Sequence, residues 1–108
     1  MGPFKPIPRT ALPDTMTVRL PTADGGFADP VAVVGVRLVR RQSISKDEHR
    51  SADADAGTVY VDAVNSWGAF EVPAGSRLTI RGRSYYVREC YAAEDLFGRV
   101  HHWELAVG

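Results

Sequence analysis

The stretch that decides the fold lies in the second half of the chain and reads Arg77-Leu78-Thr79-Ile80-Arg81-Gly82-Arg83-Ser84-Tyr85-Tyr86-Val87-Arg88-Glu89-Cys90-Tyr91. Leu78 and Ile80 alternate with polar residues, which is the period of a half-buried strand. Residues 81–84 have the composition of a tight turn, and residues 85–91 are rich in strand-forming tyrosine and valine. The stretch therefore predicts a β-hairpin.

Four further segments show strand patterns, at 15–20, 31–41, 58–62 and 100–107. In the second of these, Gly35 indicates a bulge or tight bend, and Val34 is expected to face the same way as Val36 and Leu38. Six short strands and no convincing helix predict an all-β fold, either a barrel or a sandwich. The expected core includes Val36, Leu38, Leu78, Ile80, Trp103 and Leu105, with Trp67 and Phe70 closing one end.

Two segments lie outside the strand pattern. Residues 1–14 carry four prolines, which predict an extended arm that packs on another surface. Residues 42–57 are rich in Ser, Asp and Ala and form a loop too long for a simple connection. The chain thus divides into an arm, 1–14, and one β domain, 15–108. The arm is expected to pack either on the domain's own surface or on a neighbour's.

Length and composition limit the classes of protein to which the chain can belong. A chain of 108 residues forms one domain. Its 13 basic and 13 acidic residues balance, which gives no indication of wrapping along nucleic acid. The single cysteine, Cys90, predicts a reducing compartment. No stretch has the apolar length of a signal peptide core or a bilayer span, so we expect a soluble chain made inside a cell.

The sequence offers no persuasive catalytic or metal-binding motif. His101 and His102 are adjacent in a strand, so their rings are expected on opposite faces, unable to share an ion. We interpret Cys90 as a residue that packs within the fold rather than as a nucleophile. The glycines match turns and not a phosphate-binding loop. We therefore expect a protein that is not an enzyme and that uses no metal or cofactor.

The order of features resembles the minor capsid, or head-closure (stopper), proteins of long-tailed bacteriophages. The resemblance covers nearly the whole chain, and its most specific parts are the proline-rich opening and the closing His-His-aromatic-Glu run. The residues that carry it are Pro6-Ile7-Pro8-Arg9, Thr17-Val18, Asp62-Ala63, Asn65-Ser66, Gly82-Arg83-Ser84-Tyr85-Tyr86-Val87 and Val100-His101-His102-Trp103-Glu104-Leu105.

The resemblance implies a small β-barrel that forms a ring of identical copies at the head–tail junction of the virion, after synthesis in the host cytoplasm. The ring would contact portal or adaptor proteins above, tail proteins below, and the end of the packaged DNA. The arm would contact neighbouring neck proteins through Phe4, Pro6, Ile7, Pro8 and Arg9. A long loop from each subunit would close the channel, and here that loop is 42–57. Its channel-closing residues would be Ser43, Ile44, Ser45, Lys46, Asp47, Glu48, His49, Arg50, Asp53 and Asp55.

Two other functions fit the pattern. A tail-completion or tail-terminator protein shares the small barrel and the ring. A barrel that binds single-stranded nucleic acid needs exposed aromatic residues on a basic strand face. The nearest match to such a face is formed by Tyr85, Tyr86, Tyr91, Arg81, Arg83 and Arg88.

Overall fold

The computed structural model describes residues 5–40 and 56–108. It contains six strands, preceded by a 3₁₀ turn at Arg9–Ala11. The strands are β1 (Asp14–Arg19), β2 (Val31–Arg40), β3 (Gly57–Asp62), β4 (Arg77–Ile80), β5 (Arg83–Glu94) and β6 (Val100–Val107). They form a closed antiparallel barrel in the order β1-β2-β3-β6-β5-β4, which confirms the all-β prediction and selects the barrel over the sandwich. No helix in these two described ranges is long and apolar enough to cross a membrane.

The core fills the inside of the barrel, because alternate residues of each strand point inward. Five of the six expected core residues are buried, and Trp103 is partly buried against them. Phe70 also packs partly against this core, as expected. The buried cluster consists of Met16, Val18, Val33, Val36, Leu38, Val59, Val61, Val72, Leu78, Ile80, Tyr85, Val87, Leu105 and Val107.

A bulge at Gly35 sets which residues of β2 face the core. The β1–β2 register passes from Asp14 opposite Val36 to Thr15 opposite Val34, so Gly35 has no partner. Its φ is +89°, and a Cβ there would lie 3.1 Å from the Asn65 carbonyl oxygen. The bulge prediction is confirmed. The prediction for Val34 is wrong, since the extra residue reverses the alternation and leaves Val34 51% exposed.

Trp67 also departs from its predicted place in the core, and is 79% exposed. It belongs to an irregular segment after β3 that pairs with the bulged part of β2. The Trp67 N–H donates to the Val34 carbonyl at 2.7 Å, and the Val34 N–H donates back to Trp67 at 2.9 Å. This pairing holds the Trp67 backbone against the barrel and leaves its indole at the surface.

The β4–β5 turn ties three strands together. Arg81 and Gly82 have φ values of 52° and 76°, as a two-residue hairpin turn with two left-handed positions requires. The Arg81 guanidinium binds both carboxylate oxygens of Asp14 at 2.8 Å, and Asp14 also accepts the Leu38 N–H at 3.1 Å. The hydrogen bond from Arg81 is the main reason that the pKa of Asp14 is lowered. This contact joins β1, β2 and the β4–β5 turn.

Replacing Leu105 by alanine tests the core assignment. Leu105 is fully buried, so Leu105→Ala is expected to lower the free energy of unfolding by about 2–5 kcal/mol. Leu96→Ala is the matched control, because Leu96 is 76% exposed and its replacement should change the free energy of unfolding little. Denaturant unfolding measures both variants. Equal losses in the two variants would contradict the assignment.

Candidate functional site

The two ends of the barrel differ. β3 finishes at Asp62 opposite His102, and β5 finishes at Glu94 opposite Val100. The turns that follow these strands, 63–69 and 95–99, therefore lie at the same end. At the other end, Arg40 of β2 pairs with Gly57 of β3. Residues 41–56 link them, and of these 41–55 lie outside the described residues.

Asp62 organises the first of these ends. Its carboxylate is fully buried and accepts three backbone N–H groups, from Ile7 at 2.9 Å, Val64 at 2.9 Å and Asn65 at 2.8 Å. The Ser66 hydroxyl accepts the Asp62 N–H at 2.7 Å and donates to the Gly35 carbonyl. A buried carboxylate is stable only when its oxygens are hydrogen-bonded. Asp62 thereby fixes the 63–69 turn and holds the arm.

The described part of the arm docks on its own barrel. Ile7 is held on both sides of its backbone, since its N–H reaches Asp62 and its carbonyl accepts the Asn65 amide at 2.8 Å. The Lys5 carbonyl lies 2.6 Å from Nε2 of His101. Pro6 and Pro8 are exposed, as is Arg9. Partner contact by this arm stays a prediction, and its residue Phe4 lies outside the described residues.

His101 and His102 contact each other, contrary to the expectation that they face apart. The β5–β6 register passes from Ala93 opposite His102 to Glu94 opposite Val100, so His101 is a bulge residue. A bulge redirects one side chain. The two imidazoles meet edge to face, with their Nδ1 atoms 2.8 Å apart.

The outer nitrogens of this pair contact two acceptors. Nε2 of His101 faces the Lys5 carbonyl, and Nε2 of His102 lies 2.9 Å from the Glu104 carboxylate. A backbone carbonyl and a carboxylate only accept, so each Nε2 atom is the donor in its contact. The pair therefore links the arm to β6.

Charged groups lie near the histidine pair. Asp62 is the partner of His102 across β3 and β6, Asp95 follows the end of β5, and Glu104 contacts His102. Hydrogen bonds from the backbone N–H groups of Arg99 and Phe97 are the main causes that lower the pKa of Asp95. The neighbouring cations are Lys5 and Arg99, and the Tyr60 ring lies 6.2 Å from the His102 ring.

Other candidate chemistry is weak in the part of the chain that the structure describes. Burial, followed by the negative charge of Glu71, raises the pKa of the Cys90 thiol, which keeps the thiol protonated rather than nucleophilic. Within 5–40 and 56–108, no group of three or more His, Cys, Asp or Glu side chains is arranged to hold a metal ion. The ten predicted channel-closing residues, 43–50 together with Asp53 and Asp55, lie outside the described residues. Ala56 and Gly57, also assigned to that loop, are buried, and Gly57 begins β3.

The same end of the barrel displays large apolar side chains, which we call the apolar end: Val64, Trp67, Leu96 and Phe97. Beside Trp67, a groove of about 600 Å³ is lined by Arg9, Leu12, Val34 and Val64 among others. Sequence reasoning missed this surface because it assigned Trp67 to the core and placed 95–98 outside the six predicted strands. The run Leu96-Phe97 between Asp95 and Gly98, apolar residues within a turn, is the signal that was available.

Comparison with protein-family models, with curated proteins and with solved structures finds no match to this chain.

Substitution of His101 tests its contact with the arm. His101→Asn has a shorter side chain and should lose the hydrogen bond to the Lys5 carbonyl, so docking of the arm should weaken. Ile7 is a clean reporter because the prolines on either side have no N–H. Its amide NMR shift should move from the docked towards a released position in the variant. An unchanged Ile7 amide shift would contradict a role for His101 in docking.

Proposed function

We propose that the protein is a structural subunit of the neck of a long-tailed bacteriophage. It forms a ring between the portal or adaptor and the tail, closes the DNA channel after packaging, and provides the surface on which the tail docks. The observation that carries the proposal is the difference between the two ends of the barrel. One of them is the apolar end. The long β2–β3 connection leaves the barrel at the opposite end. A ring of such subunits has two unlike faces, as a protein between two different neighbours requires.

The apolar end supports a contact with another protein. Exposed apolar residues that cluster, rather than lie scattered, mark interaction surfaces. Tryptophan is enriched among the residues that dominate such interfaces, and Trp67 stands at the edge of a groove. Because a ring repeats each contact around its axis, a modest apolar surface on one subunit is sufficient for firm docking.

The β2–β3 connection supports the channel-closing role. Arg40 and Gly57 are direct partners, so a turn of two to five residues is the usual requirement. The chain has sixteen residues there, 41–56. A Cβ on Gly57 would lie 2.7 Å from the Val39 carbonyl oxygen, so the packing at the base of the connection is tight. The extra length is therefore attached to a rigid frame, the arrangement in which loops carry function.

A tail-completion or tail-terminator ring remains the alternative. It uses the same barrel with two unlike ends, and the position of the ring in the particle distinguishes the two. Immunogold labelling of tailless heads and of free tails is the direct discriminating experiment. Label on heads favours the neck protein, and label on free tails favours the alternative.

Shortening the connection tests channel closure. Replacing residues 45–55 with a short Gly-Ser link should preserve the fold, because Arg40 and Gly57 are already paired. Particles carrying the variant should package DNA and lose it before tails attach. The readout is DNA retained in tailless heads, with circular dichroism and incorporation into particles as controls. Full retention with normal incorporation would exclude a gate at this loop.

Substitution at the apolar end tests docking. Trp67→Ser removes an exposed side chain, so the free energy of unfolding should change by no more than about 0.5 kcal/mol. Joining of heads to tails should nevertheless fall, because the variant loses apolar contact area. Tyr91→Ser is the matched control, an exposed aromatic on the side of the barrel. Wild-type yields of tailed particles with Trp67→Ser would contradict docking through this end.

A further inference from the structure

Charge is unevenly distributed around the outside of the barrel. The outward positions of β1, β4 and the first half of β5 hold no acidic residue, and we call this set the basic strip. Acidic residues follow in the second half of β5 and in β6, at Glu89, Glu94 and Glu104. The basic strip consists of Thr15, Thr17, Arg19, Arg77, Thr79, Ser84, Tyr86 and Arg88.

The register of the strands arranges the strip in two rows. Thr17, Thr79 and Ser84 are successive partners across β1, β4 and β5 and form a row of hydroxyl groups. Arg19, Arg77 and Tyr86 form the next row. Like charges directly opposite each other on neighbouring strands are destabilising, so the juxtaposition of the two arginines costs stability in the isolated barrel. A bound anion would remove that cost.

Both arginines are held in position by weak or partial contacts. The Arg19 guanidinium donates to the Ala28 carbonyl at 2.9 Å and to the Phe27 carbonyl at 3.4 Å. Arg77 donates to the Ser84 hydroxyl at 3.4 Å. A guanidinium has five N–H donors, more than these contacts use. These contacts therefore orient both guanidinium groups and leave some of their N–H donors available to a ligand.

An aromatic surface adjoins the arginines. Tyr86 is 51% exposed, and its ring centre lies 6.3 Å from that of Phe27. Phe27 is itself fixed by a backbone bridge to Pro21. A half-exposed ring on a fixed support offers one face for stacking. The grouping expected from the sequence differs, because Tyr85 is buried and Arg81 is bound to Asp14.

We propose that the basic strip binds single-stranded nucleic acid. Arginine and hydroxyl side chains are the usual ligands of backbone phosphates, and exposed aromatic rings stack on unpaired bases. Arg19 and Arg77 bind phosphate with support from the hydroxyl row, and a base stacks on Tyr86. Stacking on Tyr86 needs an unpaired base, so the expected ligand is a single strand and not a duplex.

Fluorescence anisotropy with a fluorescein-labelled 20-mer of thymidylate tests the proposal on the full chain. The wild type should bind at 50 mM NaCl and bind more weakly at 200 mM. Arg77→Gln should weaken binding and reduce the slope of log affinity against log salt by about 0.7. Tyr86→Leu keeps an apolar contact for Phe27 and loses the stacking surface, so binding should weaken about fivefold or more.

Tyr91→Leu is the matched control, since Tyr91 is an exposed tyrosine on the acidic half of the same strand and should bind as the wild type does. Any of four results would overturn the proposal: no binding at 50 mM NaCl, equal loss in Tyr91→Leu and Tyr86→Leu, equal affinity for a 20-base-pair duplex, or equal competition by polyglutamate. Because the isolated protein is measured, failure here leaves the proposed role in the neck standing.

Discussion

The buried carboxylate of Asp62 is the interaction on which one whole end of the structure depends. It lies buried at the end of β3, and protein donors satisfy it. The N–H groups that satisfy it come from the arm and from the 63–69 turn. One side chain therefore fixes where the arm lies, how the chain leaves β3, and, through Ser66, how the bulge in β2 is held. The exposure of Trp67 follows from that turn.

The strands could be predicted from the sequence because each has a period of two, and the six observed strands match the six expected ones within a few residues. Two of the errors, at Val34 and at His101, share one physical cause. Each bulge adds a residue and reverses the alternation, which exposes Val34 and brings His101 onto the same side as His102. Gly35 signals the first bulge by its missing side chain. Nothing comparable precedes His101, so no local pattern predicts the histidine pair.

The basic strip could not be predicted from the sequence, for a different reason. A net charge of zero describes the whole chain, whereas the basic strip depends on which strands become neighbours. Arg19 and Arg77 are far apart in the sequence and adjacent only because β1 pairs with β4. The same pairing separates them from the glutamates of β5 and β6. Whether a surface such as the basic strip forms depends on which strands pair, and the composition of the chain does not determine that pairing.

The pairing of β1 with β4 also has a kinetic consequence. It joins Met16 to Ile80, so the barrel closes only after most of the chain has been made. Until then, both strands present unpaired backbone groups that can pair with another chain. Pairings this distant in sequence slow folding. A newly made subunit thus passes through an interval in which it can aggregate by strand pairing. Closure ends that interval, because each of the six described strands then has a neighbour on both sides. Copies of the protein can then reach a high concentration without pairing their strands with those of another copy.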